Sequence, residues 1–318
     1  MVKTSATMRE AFIARVFERM SDQGIYFLSA DFGSIQLDKI RERYRDRFIN
    51  VGIAEQNLIN VGAGLALEGY KVFVYAIAPF LSMRAFEQIR NNLSLMSQLR
   101  PLNMNLISVG AGLSYDISGP THHCLEDISV IRTLPNIMIF SPSDWVLAEQ
   151  FVDHALEIEQ PKYLRFDSKP LPAIYDPKAK IDLQKGFHEL SCGGDICLVS
   201  TGYMTHQAMQ AVAELRRDKI DLGQIDLFMI RPFDANGLYD LLKGYKHVIS
   251  LEEAFIDKGG IDSLIADLLL RQGFTGKFTR IGIGDKHIFN VGDRAYLHGL
   301  NGTDVPGLVS RIKEILNK

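Results

Sequence analysis

Along this chain, stretches whose apolar positions recur every three or four residues alternate with short apolar runs bounded by glycine, proline or polar residues. From Arg9 to Met20, the residues Phe12, Ile13, Val16, Phe17 and Met20 fall on one helical face, which needs a sheet or another helix to cover it. Ile25 to Ser29 reads as a buried strand emptying into Ala30 to Ser34, and after a charged stretch Arg47 to Asn57 leads into a Gly/Ala-rich helix ending at Leu67. Further strands are predicted at Lys71 to Tyr75, Asn105 to Val109, Pro135 to Phe140 and Lys162 to Phe166. A long helix is predicted from about Phe80 to Leu99, where Pro101 withholds an amide and ends it; another runs from Trp145 to Ile158 with Ser143 as its N-cap.

Pro170, Pro172 and Pro177 then interrupt a polar stretch with no steady period, and a second alternating series follows. Its strands are Ile196 to Ser200, Ile225 to Ile230, His247 to Leu251 and Phe278 to Gly282. Its helices run from Met204 to Arg216, from a cap at Asp234, from Gly259-Gly260, and from Val305 to Leu316. Such alternation predicts parallel sheets covered on both faces. The fold class expected is α/β, two tandem open α/β domains with largely parallel sheets: residues 1–175, a linker at 176–190, and residues 191–318.

A length of 318 residues allows two cores. With 35 Lys+Arg against 38 Asp+Glu there is no broad basic field, which argues against a nucleic-acid partner. No apolar run approaches the roughly 20 residues that cross a bilayer, and the first ten residues lack the apolar core of a secretory signal, so a cytoplasmic protein without a membrane partner is expected. Cys124, Cys192 and Cys197 form no tight pair, which points to buried thiols rather than disulfides or zinc.

Despite 26 glycines, no GxGxxG follows the first strand, and there is no GxxxxGK[ST] and no Gly-Asp-Gly with a following metal-binding Asn. Read alone, that pattern implies a protein that binds no diphosphate-bearing cofactor. Gly52-Ile-Ala-Glu55-Gln-Asn57 places a carboxylate at the start of a very apolar helix, where the helix dipole favours the ion and burial favours the acid. Glu55 is thus poised to share a proton with a nitrogen ligand, or is simply a capping or buried, paired glutamate. Phe80 and Phe86, with Met83 and Arg84, open the long helix: an aromatic ring there can stack on a flat heterocycle, or pack in the core. Gly119-Pro-Thr-His122-His123 lies on a loop leaving a parallel strand, where open α/β sheets bind ligands. His122 is either a donor to a polar substrate or a structural histidine.

Together, Arg47-Phe-Ile-Asn-Val-Gly-Ile-Ala-Glu-Gln56, Phe80 with Arg84-Ala-Phe-Glu-Gln88, and Gly119-Pro-Thr-His122 resemble the pyrimidine-binding domain of transketolases and 1-deoxyxylulose-5-phosphate synthases. Ser141-Pro-Ser-Asp144, Leu251-Glu-Glu253, Gly259-Gly260 and Gly284-Asp-Lys-His-Ile-Phe-Asn-Val-Gly292 follow in the same family's order. The family's diphosphate- and Mg²⁺-binding N-terminal domain is missing, as in members split into two chains; this chain resembles the C-terminal one. The resemblance implies a thiamine diphosphate-dependent transketolase subunit that moves a two-carbon ketol unit from a ketose to an aldose. It would be active only with an N-terminal-type partner that holds most of the Mg²⁺ contacts, in an α2β2 heterotetramer.

By motif, Glu55 would contact ring nitrogen N1′ and promote loss of the C2 proton; Phe80 would stack on the aminopyrimidine, with Met83 and Phe86 lining its pocket and Asp31 nearby at the interface. His122 resembles the donor to the substrate carbonyl or alkoxide, and Arg84 joins the substrate-facing set. Two positions depart from the family. Ser118 stands where an acid usually binds sugar hydroxyls, and Ser168 where an arginine grips the sugar phosphate, so Asp116 and Lys169 become candidate substitutes. The sugar is therefore expected to be an unusual phosphorylated ketose, or one with another anionic or neutral end. The alternatives are the β subunit of a 2-oxo acid dehydrogenase, a synthase of the deoxyxylulose type, and a non-catalytic paralog in which Ser118 and Ser168 mark decay of the substrate site.

Overall fold

A computed structural model describes residues 5–316, which form two compact units. The first comprises the chain up to Ala111 together with Val130–Ile181; the second comprises Gly112–Ser129 and the chain from Asp182 onward. The stretch Gly112–Ser129, which follows the first unit's strands in sequence, thus packs with the second.

The first unit is built on strands β1 (Ile25–Ser29), β2 (Phe48–Asn50), β3 (Lys71–Ile77), β4 (Met104–Val109), β5 (Met138–Phe140) and β6 (Lys162–Phe166). They lie in the order β5-β6-β4-β3-β1-β2, every pairing parallel. The central strands β3 and β4 are buried almost throughout, which explains their continuous apolar or small-polar sequence. Helices α1 (Met8–Arg19), α2 (Ile35–Arg43), α3 (Glu55–Leu67) and α4 (Trp145–Glu157) cover the sheet. Helix α1 buries Phe12, Ile13 and Val16, as its apolar stripe requires, and Arg15 and Arg19 both bridge to Asp153 on α4. The charged stretch before Arg47 proves to be α2, which buries only Leu37 and Ile40 and so has too thin a stripe to read from sequence.

The helix predicted from Phe80 to Leu99 is not one regular helix. Phe80–Arg84 and Ile89–Leu95 are π-helical, Phe86–Gln88 is α-helical, and Met96–Gln98 is a 3₁₀ turn. Ser82 contributes by donating its hydroxyl to the Ala78 carbonyl at 2.7 Å, a side-chain bond that competes with the backbone ladder. The N-cap of α4 is Asp144 rather than Ser143: its Oδ1 accepts the Leu147 amide, while Oδ2 accepts the Ile174 and Tyr175 amides. The Asp144 carboxylate serves the helix and a second segment at once, which favours it as the cap.

The second unit's sheet has strands β7 (Phe187–Ser191), β8 (Ile196–Ser200), β9 (Gly223–Leu227), β10 (His247–Phe255) and β11 (Lys277–Ile283), in the order β11-β10-β8-β9-β7. Only β7 runs antiparallel to its neighbour. Helices α5 (Tyr203–Arg217), α6 (Ala235–Leu242), α7 (Ile261–Arg271), α8 (Arg294–Asn301) and α9 (Val305–Leu316) accompany it, with Asp234 capping α6 as expected. One core joins Met204, Ala208 and Leu215 of α5 to Leu198, Ile249 and Ile312. Cys124 and Cys197 are buried, but Cys192, just past the edge strand β7, is exposed, contrary to the expectation for all three thiols. No helix among the described residues is long and apolar enough to cross a membrane.

Candidate active site

In the first unit the chemistry gathers at the carboxyl ends of β1, β2 and β3, the edge where parallel sheets bind ligands. Asn50, the last residue of β2, organises this edge: its Oδ1 accepts the amides of Asp31 and Gly52, each at 3.0 Å, and its Nδ2 donates to Asp31 Oδ1 at 2.9 Å. Gly52 has φ +76°, a conformation that costs a glycine nothing, and the turn delivers the chain to Glu55 at the first turn of α3. Asp31 has φ +54°, uncommon for a residue with a side chain, and is exposed. Hydrophobic patterning does not single out Asn50, but an Asn two residues before Gly at a strand end is the signal that marks such a turn.

Glu55 is 3% exposed. Its Oε2 accepts a hydrogen bond from Arg84 Nη1 at 2.7 Å. The same guanidinium lies over the Phe80 ring, its carbon 4.6 Å from the ring centroid. Three predicted site residues, Glu55, Phe80 and Arg84, therefore form one cluster. Met83 is 38% exposed on the same turn, and Phe86 is half-buried beyond it. Inside α3, Gly62 faces Met104 and Val74 so closely that a Cβ there would push the Met104 methyl aside, and the helix sits close on β3 and β4. Hollows of about 360 and 470 Å³ open elsewhere, against Lys71 and Asn103 and against Gln23 and Tyr26. These lie at the amino ends of the strands, away from the chemistry, and we assign them no catalytic role.

The other candidates in this unit sit beyond β6. Asp167 is buried, and its Oδ1 accepts the Lys169 amide at 2.8 Å; Ser168 and Lys169 are half-buried.

The loop carrying the remaining candidates belongs to the second unit. Gly119, at φ +78°, presents its carbonyl to the amides of His122 and His123. His122 is half-buried, with Nδ1 3.1 Å from Thr121 Oγ1 and its ring edge-on to Tyr115. His123 is buried, its Nε2 3.3 Å from the Asp116 carbonyl oxygen. Asp116 is only 3% exposed, and its carboxylate accepts the Ile117 amide through Oδ1 and the Arg294 amide through Oδ2. Ser118 is exposed.

Arg294 leads to a buried network that pattern reading missed. Its guanidinium forms two hydrogen bonds to the Glu253 carboxylate and stacks on Tyr203. Glu253 also meets His298 Nε2 at 2.7 Å, and His298 Nδ1 reaches Thr303. Burial pushes the Glu253 carboxyl up, but the Arg294 charge and the His298 and Arg294 hydrogen bonds together outweigh it and hold the group far below the usual carboxylate range. Gly112, at φ +59°, lies directly against that carboxylate. The Leu251-Glu-Glu253 motif is visible in the sequence, but its partners are about forty residues further along, on a helix too short to announce itself by its apolar spacing. Among the described residues no group of three His, Cys, Asp or Glu is arranged to hold a metal ion.

The sequence matches the transketolase pyrimidine-binding domain over residues 3–172 and the transketolase C-terminal domain over residues 187–291, and the chain belongs to the transketolase family. An apulose-4-phosphate transketolase subunit of Actinobacillus succinogenes is 34% identical over 84% of each chain. A putative transketolase C-terminal section from Methanocaldococcus jannaschii is 28% identical over 93% of this chain and 92% of its own length. A solved structure described as a split gene transketolase, inactive beta4 tetramer, superposes with a TM-score of 0.84 at 28% identity, covering 98% of both chains. Transketolase from Campylobacter jejuni shares the fold at 21% identity, with a TM-score of 0.78 over 98% of this chain and 47% of that one. Within the family the chain is of the split-gene, C-terminal type, matching relatives of that kind over most of their length.

Proposed function

We propose that this chain is the thiamine diphosphate-activating subunit of a cytoplasmic transketolase, catalytic when an N-terminal-type partner delivers the diphosphate and Mg²⁺, in an α2β2 assembly. The observation that carries this reading is the seat formed by Glu55 and Phe80: a flat, nitrogen-bearing cation already fits there, stacked on the ring and bonded to the buried acid. When bound, thiamine diphosphate supplies the electron sink for cleaving and remaking a carbon–carbon bond. Glu55 holds or moves the proton at N1′, Phe80 fixes the ring plane, and Met83 and Phe86 shield its edge. Asp31, locked to Asn50, stands at the interface rim. His122 donates toward the oxygen that gains charge in the substrate.

The relatives named as apulose-4-phosphate transketolase subunits support a phosphorylated sugar as substrate or product. Lys169 replaces the missing arginine as a point charge for the phosphate, with Ser168 beside it, and Ser118 faces the sugar. Asp116, bonded to two backbone amides, serves the loop rather than a sugar hydroxyl.

Titrating thiamine diphosphate with Mg²⁺ into the isolated chain and into its complex tests the reading. Binding is expected in the complex alone; equal binding by the isolated chain would contradict the shared site. In the complex, Glu55→Gln should leave assembly intact and slow C2-proton exchange by about 10²-fold or more, the scale of a lost acid–base group. Exchange at the wild-type rate would show that Glu55 is misassigned. His122→Ala should lower ketose cleavage more than it lowers exchange.

A further inference from the structure

The residue that closes on Glu55 is the one the sequence placed among the substrate contacts. Arg84 lies four positions after Phe80 on the same π-helical turn, and its guanidinium folds back over that ring while donating to Glu55. π-helical turns are rare and concentrate at functional sites.

A guanidinium and an aminopyrimidine protonated at N1′ share a chemistry. Both are planar, both carry delocalised positive charge over an amidine-type carbon, and both present N–H donors in the plane while offering a flat face for stacking. The two partners differ sharply in exposure: the Arg84 side chain is 47% exposed, that of Glu55 only 4%. Arginine can therefore leave for solvent at little cost, whereas a buried carboxylate stripped of its cation is strongly destabilised. Exchange of one planar cation for another is favoured over simple opening.

We infer that Arg84 is a resident stand-in for the aminopyrimidine, occupying the seat between Phe80 and Glu55 until the cofactor ring displaces it. The inference rests on the function proposed above. Cofactor affinity is then lowered by the fraction of time the arginine is seated, and the incoming ring takes over the cation's place on the buried acid.

The test is the dissociation constant of thiamine diphosphate at saturating Mg²⁺, measured by calorimetric titration of the complex with its partner chain. Arg84→Met keeps the aliphatic stem and removes the planar cation; Arg84→Ala removes both. Each should bind about tenfold more tightly than wild type if the arginine fills the seat about nine-tenths of the time. Weaker binding by both variants would make Arg84 a cofactor ligand, and unchanged binding would place the guanidinium outside the ring's seat; either result overturns the inference. Glu55→Gln, run in parallel, separates this from failure of the underlying reading. Cofactor binding that depends on Glu55 but is not tightened by loss of Arg84 refutes the stand-in alone. No binding by the wild-type complex, or binding indifferent to Glu55, refutes the site and the stand-in together.

Discussion

At Gly112 the backbone has φ +59°, and a Cβ built there would fall on the Glu253 carboxylate. Gly112→Ala must therefore strain the backbone and push the acid away from Arg294 and His298. A loss of about 3 kcal/mol or more is expected, the scale of a broken buried ion pair, and chemical denaturation of the variant and wild type measures it. At this scale the sequence is legible only where neighbours in the chain are neighbours in space. Glu55 and Phe80 can be singled out because each starts a segment whose pattern is local. The Arg84 bond to Glu55, the Asp116 bond to the Arg294 amide and the Asn50 bond to the Asp31 amide all depend on tertiary placement, which periodicity does not encode.

Helix α4 shows how element boundaries escape pattern reading. Ser143 and Asp144 are both good caps, and Asp144 takes the role because Ile174 and Tyr175 also need an acceptor. Asp144→Ala should cost about 2 kcal/mol, the upper end for a lost cap, whereas Ser143→Ala should lose no cap at all; comparing the two melting temperatures checks the assignment. The π turns after Phe80 are invisible for a different reason. Apolar spacing sets which face is buried and does not register that these turns are widened. Strands fare better, since β1, β4 and β8 are buried runs whose ends are set by glycine or polar residues, whereas β3 runs on past the predicted Tyr75 to Ile77.

At the scale of the molecule, two adjacent buried acids respond to pH with shifts of opposite direction. Glu253, depressed in the fold, contributes stability that is present above the ordinary glutamate pKa of 4.5 and is lost as pH falls below it. Glu252, buried and near Asp262, is pushed up to about 8, so its contribution is present below 4.5 and fades as pH rises through 8. Glu253→Gln should thus be less stable than wild type at pH 7, with a gap that narrows as pH drops below 4.5; paired thermal scans across pH read it. A gap that stays constant in acid would show that Glu253 gains nothing from its partners' charges.

The way the chain passes between the two units bears on how such proteins can be cut and recombined. Because Gly112–Ser129 belongs to the second unit, bonded to it through Asp116 and packed at Gly112 against Glu253, a break anywhere in the proline-rich stretch near residue 180 does not yield two self-sufficient pieces. A fragment ending there keeps His122 in its sequence but loses the Arg294 amide and the Glu253 cluster that brace its loop. A chimera that borrows its second half from a relative inherits a foreign brace for its own histidine. Grafts in this fold should keep the loop and helix α8 from the same parent.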